Sequence, residues 1–431
     1  MSDWQQISLG DLETPTRRKV AVPPQGSRTS MSDDWVLTTF GEVLTSVSRL
    51  RKVAVTDLEA IPYAGVRWNA EGVYHRDTVS TEGITGKAVY RIEKDDVVYN
   101  HMWPTKAAFG VVKDDTAGCY VTNHFPLFTV KPHFAIPSFI EATFQYPEFQ
   151  AEAARRAVGT TERKQISNAS FASLPIWVPP LSVQERIVEI IGAVDDQITA
   201  LSVETETLAA ILRRRRADLM TDGSVEAVRA EHAFDFSTGV RRTPDRATGP
   251  YMTPYLRSAN VGYGRLDLSD VLEMNYEPAE REKFGLRYGD VVVSEGSASA
   301  NAVGMPAMWR DELPGPVCTQ MTLLRLRAMD EICIPEFVFH WSMWAYESRA
   351  FLDIAGGTNI KHISAKRAKG MVVRLPSLDR QREMSVELDT MEVALASARA
   401  ETARLREVKA GLLPRLLNRT IDIKSAELLE V

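Results

Sequence analysis

The chain has 431 residues, 44% of them hydrophobic and 25% charged; these are ordinary proportions for folded protein, they exclude wholesale disorder, and the length predicts about three domains. No run reaches the ~20 apolar residues of a membrane-spanning helix and Met1-Ser2-Asp3-Trp4 has no signal-peptide core, so a cytoplasmic protein without membrane contact is expected. Three cysteines (Cys119, Cys318, Cys333) are too few for a disulfide framework or a structural zinc, and 51 basic against 57 acidic residues, net −6, exclude a globally basic nucleic-acid binder while leaving a local DNA surface open.

In chain order, residues 1–30 read as a flexible extension, rich in Pro, Arg and Ser from Pro15 onward; Met1-Ser2-Asp3-Trp4 is echoed at Met31-Ser32-Asp33-Asp34-Trp35. Residues 31–180 read as a mixed module. Its predicted strands include Val89–Ile92, Val97–Tyr99 and Leu127–Val130, and a helix follows Ile136-Pro137, with proline in the first turn. From Ser182 apolar residues recur at alternating spacings of four and three: Ile187, Ile191, Val194, Ile198, Leu201, Leu208 and Leu212, with Thr205 interrupting. That is a coiled-coil seam, carried by a helix of roughly 57 Å for residues 182–219. The basic run Arg213–Arg216 reads either as a solvated helix end or as a contact to phosphates or a partner.

Residues 223–375 repeat the first module, with strands at Asp290–Val293 and Leu323–Leu326 and a helix after Ile334-Pro335. Residues 376–419 repeat the long helix, with its seam at Met384, Leu388, Met391, Leu395, Ala398, Thr402, Leu405, Lys409, Leu412 and Leu416; residues 420–431 form a tail. The repeat rests on ordered matches. Val178-Pro179-Pro180-Leu181-Ser182-Val183-Gln184 lies over Leu375-Pro376-Ser377-Leu378-Asp379-Arg380-Gln381, and Lys164-Gln165-Ile166-Ser167 over Lys361-His362-Ile363-Ser364. A Gly-Thr pair precedes each of the latter, and the shifts stay between 194 and 198. A period this long marks a duplicated domain, not a solenoid. Ser182 and Asp379 are the expected helix caps. The two helices are expected to pair antiparallel within the chain; packing on their own modules, or on a second chain, is the alternative.

Three sets of polar and basic residues sit on loops and turns of the two copies. The loops Asn100–Gly110 and Ser294–Gly304 follow matching Asp-Val-Val strands, read as equal in length, and share almost nothing at their tips. Asn100, His101 and Lys106 in the first, and Ser294, Glu295, Ser297, Ser299 and Asn301 in the second, could reach base edges or phosphates. Arg67 and Asn69, matched by Arg257 and Asn260, sit in Gly-rich turns, where arginine could take guanine and asparagine adenine. Lys164 and Lys361, with His362 beside the latter, suit phosphate contact because the lysine is common to both copies. Each set could equally be ordinary surface or turn chemistry.

Catalytic motifs are missing from this reading. We find no phosphate-binding Gly-rich loop, no metal-ligand spacing among the histidines, no nucleophile elbow and no adenine-methyltransferase motif.

The order of mixed module, Pro179-Pro180-Leu181-Ser182-Val183-Gln184 turn, long helix, second module, degenerate turn with Pro376-Ser377, and second helix resembles the specificity subunit of Type I restriction–modification systems over residues 31–419. That resemblance implies an α+β fold, with two tandem target-recognition domains related by an internal pseudo-twofold repeat and separated by an antiparallel coiled coil. It implies a non-catalytic subunit of a phage-defence complex whose domains each read half of a bipartite site on double-stranded DNA. The helices would set the spacer and dock two methyltransferase subunits, and restriction (translocase/nuclease) subunits would join. No cofactor would bind this chain; S-adenosylmethionine would serve the methyltransferase, and ATP and Mg the restriction subunits. A tandem-domain coiled-coil adaptor for protein partners is the rival reading.

The acidity is densest on the first long helix. Residues 1–180 and 223–375 each carry a net −1, while 181–222, with five basic and eight acidic residues, carries −3. Neither module has a basic surplus, so the chain alone is expected to bind DNA weakly.

Overall fold

A computed structural model describes residues 35–82, 88–159, 164–297, 299, 301–357, 361–421 and 423. The proposed 1–30 extension and residues 422 and 424–431 of the proposed tail lie outside the described residues. The chain divides into two compact units between Val188 and Glu189.

In the first unit, Val97–Tyr99 is fully buried and therefore apolar on both faces. It is a central strand of a four-stranded sheet ordered Leu44–Ser46, Leu127–Val130, Val97–Tyr99, Phe109–Val111. The predicted 89–92 strand is Ala88–Arg91, in a five-stranded sheet with Lys52–Ala54, Tyr120–Val121, Ala60–Val66 and Val73–Ser80. A helix at Pro137–Phe144 starts on its proline, whose missing N–H has no role in the first turn. Rings of Phe40, Tyr99, Phe109, Phe144, Phe149 and Phe171 pack together beneath.

The second unit repeats the four-stranded sheet and its helix, while the counterpart of the five-stranded sheet has three strands. Its four-stranded sheet is ordered Phe234–Thr238, Leu323–Ala328, Val291–Ser294, Pro306–Met308, and its helix Pro335–Glu347 again starts on proline. In each unit an outer hairpin strand also pairs parallel with a short strand, Tyr63 with Tyr120 and Tyr255 with Cys318. The duplication read from scattered matches is thus a duplication of fold.

The strands also correct one sequence expectation. The two candidate loops differ in length. Asn100 N–H donates to Ala108 O at 2.9 Å, whereas Ser294 N–H donates to Met305 O at 2.9 Å, so the second loop is three residues longer. Gly110 is a strand residue opposite Val98, while Gly304 lies outside the strands with φ +80°. Their match in sequence is not a match in structure.

The long helices are Leu181–Met220 and Leu378–Leu417. Their caps are not Ser182 and Asp379. Pro180 O accepts the first helical N–H groups, from Val183 and Gln184 at 3.0 Å, which places Ser182 inside the helix. Ser377 caps the second helix through Arg380 N–H, and Asp379 pairs with Arg382 in the first turn.

Within the second unit the helices run antiparallel. Asp195 meets Lys409 at 2.7 Å, Ser202 meets Arg406, Arg215 meets Glu387 and Arg216 meets Glu392, so rising numbers on one oppose falling numbers on the other. This register sets Thr205 level with Thr402. Each hydroxyl is satisfied by its own helix, donating to Leu201 O and Ala398 O, which lets a polar residue lie in an apolar seam. The seam residues from Val194 to Leu212 and from Met384 to Leu405 are all buried or half-buried. Pairing is only part of their packing, because Leu212, Met384, Leu388 and Leu395 share one apolar cluster with Phe234, Phe337 and Trp341.

The Arg213–Arg216 run is divided: Arg213 and Arg214 are exposed, whereas Arg215 and Arg216 are engaged by carboxylates of other elements. Arg216 is fully buried between Glu347 and Glu392, Tyr263 also donates to Glu347, and Arg214 and Arg215 pair with Asp218 and Glu387. A guanidinium can be buried here because carboxylates on two sides compensate its lost hydration.

Candidate nucleic-acid interface

In each module the three candidate segments come together. In the first, Arg67 precedes a one-turn 3-10 segment, Trp68–Ala70, at the tip of the hairpin formed by Ala60–Val66 and Val73–Ser80. Ala70 N–H donates to Ala107 O at 2.7 Å, tying this tip to the 100–107 loop. Ile166 N–H donates to His101 O at 3.0 Å, bringing the Lys164 segment to the same loop. In the second module Ser258, next to Arg257, donates to Thr322 O at 2.8 Å, and Glu295 N–H donates to that same oxygen at 2.9 Å. Ile363 N–H donates to Glu295 O at 2.8 Å, and Gly296 and Ser297 pair with His362 and Lys361.

The repeated Lys-x-Ile-Ser segments are built alike. Gln165 exchanges both backbone bonds with Val158, and His362 does so with Gly356. Ser167 and Ser364 then cap short helices. Gly159 and Gly357, the glycines of the repeated Gly-Thr pairs, both have positive φ, +148° and +102°, which a side chain would strain.

The side chains on these matched frames differ. In the first module Arg67 lies over the Tyr74 ring at 4.9 Å, Lys106 over the Trp68 ring at 5.5 Å, and Trp68 contacts Trp103 with centroids 6.0 Å apart. Asn69 and Lys164 are exposed. Asn100 spends its Oδ1 on Met102 N–H, and His101 lies 3.3 Å from His124 across ring nitrogens. Burial and that neighbouring imidazole hold the His101 pKa below its usual value.

In the second module Ser299 and Asn301 are exposed, and Lys361 is half-buried. Glu295 is only 7% exposed and has His362 Nδ1 at 3.5 Å; burial pushes its carboxyl up to about 7. Ser294 is buried. Arg257 pairs with Asp270, and Asn260, 2% exposed, holds its own turn: its carboxamide accepts from Arg257 N–H and donates to Asp267 O and Asp270 O. In this conformation neither Ser294 nor Asn260 offers its side chain outward.

Sequence reasoning passed over Trp68 and Trp103. The signal was available as aromatic residues interleaved with basic ones, Arg67-Trp68 and Trp103 three before Lys106. Among the described residues no group of His, Cys, Asp or Glu is arranged to hold a metal ion, and no helix is long and apolar enough to cross a membrane.

Comparison with known proteins follows the same lines. The model of the Type I restriction modification DNA specificity domain matches residues 32–209. The HindI specificity subunit of a Type I restriction enzyme from Haemophilus influenzae is 23% identical over 217 residues, covering 49% of this chain and 39% of that one. The EcoKI specificity subunit from Escherichia coli is 23% identical over 239 residues, covering 51% of each. The matched segments therefore span about half, or less, of these relatives. Among solved structures, a chain from work on complex assembly and conformational transition of the type I R-M system superposes with a TM-score of 0.61 at 16% identity, covering 90% of this chain and 99% of that one. The S subunit of a Type I system from M. genitalium gives 0.51 at 13% identity, covering 91% and 98%.

Two like scaffolds carrying unlike surface patches, together with two long packed helices, make this a mixed α+β fold like that of the S subunit structure from M. genitalium. Over residues 32–209 the chain is similar to the Type I restriction modification DNA specificity domain, and over about half its length to specificity subunits of Type I restriction enzymes.

Proposed function

We propose that each module reads one half of a bipartite site in double-stranded DNA, that the paired helices fix the separation of the two halves, and that they dock two methyltransferase subunits using S-adenosylmethionine, to which restriction subunits using ATP and Mg are added. On this reading the chain is non-catalytic and supplies sequence choice to the complex. The observation that carries it is the convergence of the same three segments onto one patch per module, with the Ile166–His101 backbone bond repeated as Ile363–Glu295, while the side chains on the two patches differ. A conserved frame with divergent contact groups is what two readers of different base sequences require, because backbone-fixed positions set register while side chains specify.

The residues exposed on these patches, Arg67, Asn69, Lys106 and Lys164 in the first module and Ser299, Asn301 and His362 in the second, are the proposed DNA contacts. The test is selection from randomised duplex DNA by the full chain co-expressed with its methyltransferase subunit. Enrichment of two short motifs at fixed separation is the expected result. Replacing 100–106 should change one motif only; a change in both, or no enrichment, overturns the reading in favour of a protein-binding adaptor.

A further inference from the structure

The least expected surface group on the first module is Trp68, a large apolar side chain left 52% exposed at the tip of a hairpin. It is not loosely displayed. Trp103 packs against its ring at 6.0 Å, with the planes 44° apart, and Lys106 Nζ stands 5.5 Å from its centroid. The backbone beneath is held in an unfavourable form: Asn69 and Ala70, neither of them glycine, have φ of +56° and +53°, and Ala107, which accepts the Ala70 N–H, has φ of +49°. Left-handed alanines persist only where the surroundings impose them. The turn of the second module has no such group, since Ser258 follows Arg257 there and its hydroxyl is turned to Thr322 O.

We propose that Trp68 is a stacking platform for a nucleobase: on binding, the first module unstacks one base step of its half-site and lays a base face, or the edge of the opened step, on the exposed indole, with Lys106 at the adjoining phosphate. The chemistry fits. An indole offers the strongest π surface among side chains, a cation beside it suits the polyanion, and apolar wedges on rigid tips are a known means of opening a base step. Presentation on a rigid tip also means little ordering cost on binding. The two modules then differ in mode as well as in sequence, the first deforming its half-site and the second leaving its own stacked. This deepens the reading of the first module as a half-site reader and rests on it.

The experiment uses the full chain with its co-expressed methyltransferase subunit and duplexes of the selected sequence carrying 2-aminopurine at successive positions. Binding of the unaltered chain should raise fluorescence at a position in the first module's half-site and at none in the second. Trp68→Ala should abolish that rise and weaken binding roughly 5- to 150-fold, the worth of one base–aromatic stack, while leaving the second motif's preference unchanged; Trp68→Phe should keep much of both. Because Trp68 is exposed, copurification and the circular dichroism spectrum should not change. Selective binding that Trp68→Ala leaves intact, or an unaltered chain that raises no fluorescence, overturns the inference alone. Loss of the methyltransferase subunit from Trp68→Ala in the absence of DNA makes the residue a protein-docking group and overturns it too. An unaltered chain that selects no sequence overturns the half-site reading and this inference with it.

Discussion

Gln184 and Gln381 explain why the turn motif recurs. Each is fully buried, and each makes the same three bonds. Gln184 accepts from Ile136 N–H at 3.0 Å and donates to Phe134 O and Pro179 O at 2.8 Å; Gln381 accepts from Ile334 N–H at 3.0 Å and donates to Ile332 O and Pro376 O at 3.0 and 2.9 Å. A single carboxamide thus ties the start of a long helix to the start of a module helix, and only an amide supplies both acceptor and donors there. Alanine at either position should cost about 2–4 kcal/mol by orphaning buried backbone groups. In urea denaturation Gln184→Ala should lower the stability of the first unit and Gln381→Ala that of the second. Glu295 gives a pH signature. Its folded pKa of about 7 lies above the ordinary 4.5, so the folded state binds the proton more tightly. The associated stability is complete below pH 4.5 and is lost as the pH rises to about 7. Glu295→Gln should remove that slope and make the second unit more stable than the unaltered chain at pH 8, as followed by thermal unfolding across that range.

Among elements, the long helices are the most informative, because an apolar stripe of 3.5-residue period has meaning only with a partner. The partner of each is the other helix and also the helix Pro335–Glu347, where Arg216 pairs with Glu347 and His340 Nε2 lies 3.0 Å from Asp389. The stripe and the outer face should therefore respond differently. Leu395→Ala, in the seam, should cost about 2–5 kcal/mol, whereas Val393→Ala, 69% exposed on the same helix, should change stability by less than ~0.5 kcal/mol. Equal effects in chemical denaturation would contradict the seam. The buried Arg216 was beyond the reach of periodicity. A run of four arginines says nothing of which one turns inward, and that depends on Glu347 and Glu392, 131 and 176 residues away.

For the molecule as a whole, charge bears on the proposed binding of DNA. With a net charge of −6 and no basic surplus in either module, the chain alone should bind duplex DNA weakly, with a shallow dependence of affinity on salt. Addition of the methyltransferase subunit should steepen that dependence, since each further phosphate neutralised adds about 0.9 to the logarithmic slope. Fluorescence anisotropy at 50–300 mM salt, with and without that subunit, checks this; a steep slope for the chain alone would show that it carries its own phosphate contacts.

The sequence by itself determined the duplication, a few strands and the proline-led helix of each copy, and the pairing stripes, because these rest on local spacing and on short-range chemistry such as Ile136-Pro137 and Ile334-Pro335 opening a helix. It also contained the three candidate segments of each module, but as separate stretches. Only the tertiary structure decided that they meet, because their meeting depends on backbone bonds between distant residues, Ile166 to His101, Ile363 to Glu295 and Ala70 to Ala107. Burial decided the rest: Asn260 and Arg257 look alike in sequence to Asn69 and Arg67, yet one asparagine is spent on its own turn and the other is exposed. Which side chains face outward depends on packing, and packing is not a property of local sequence.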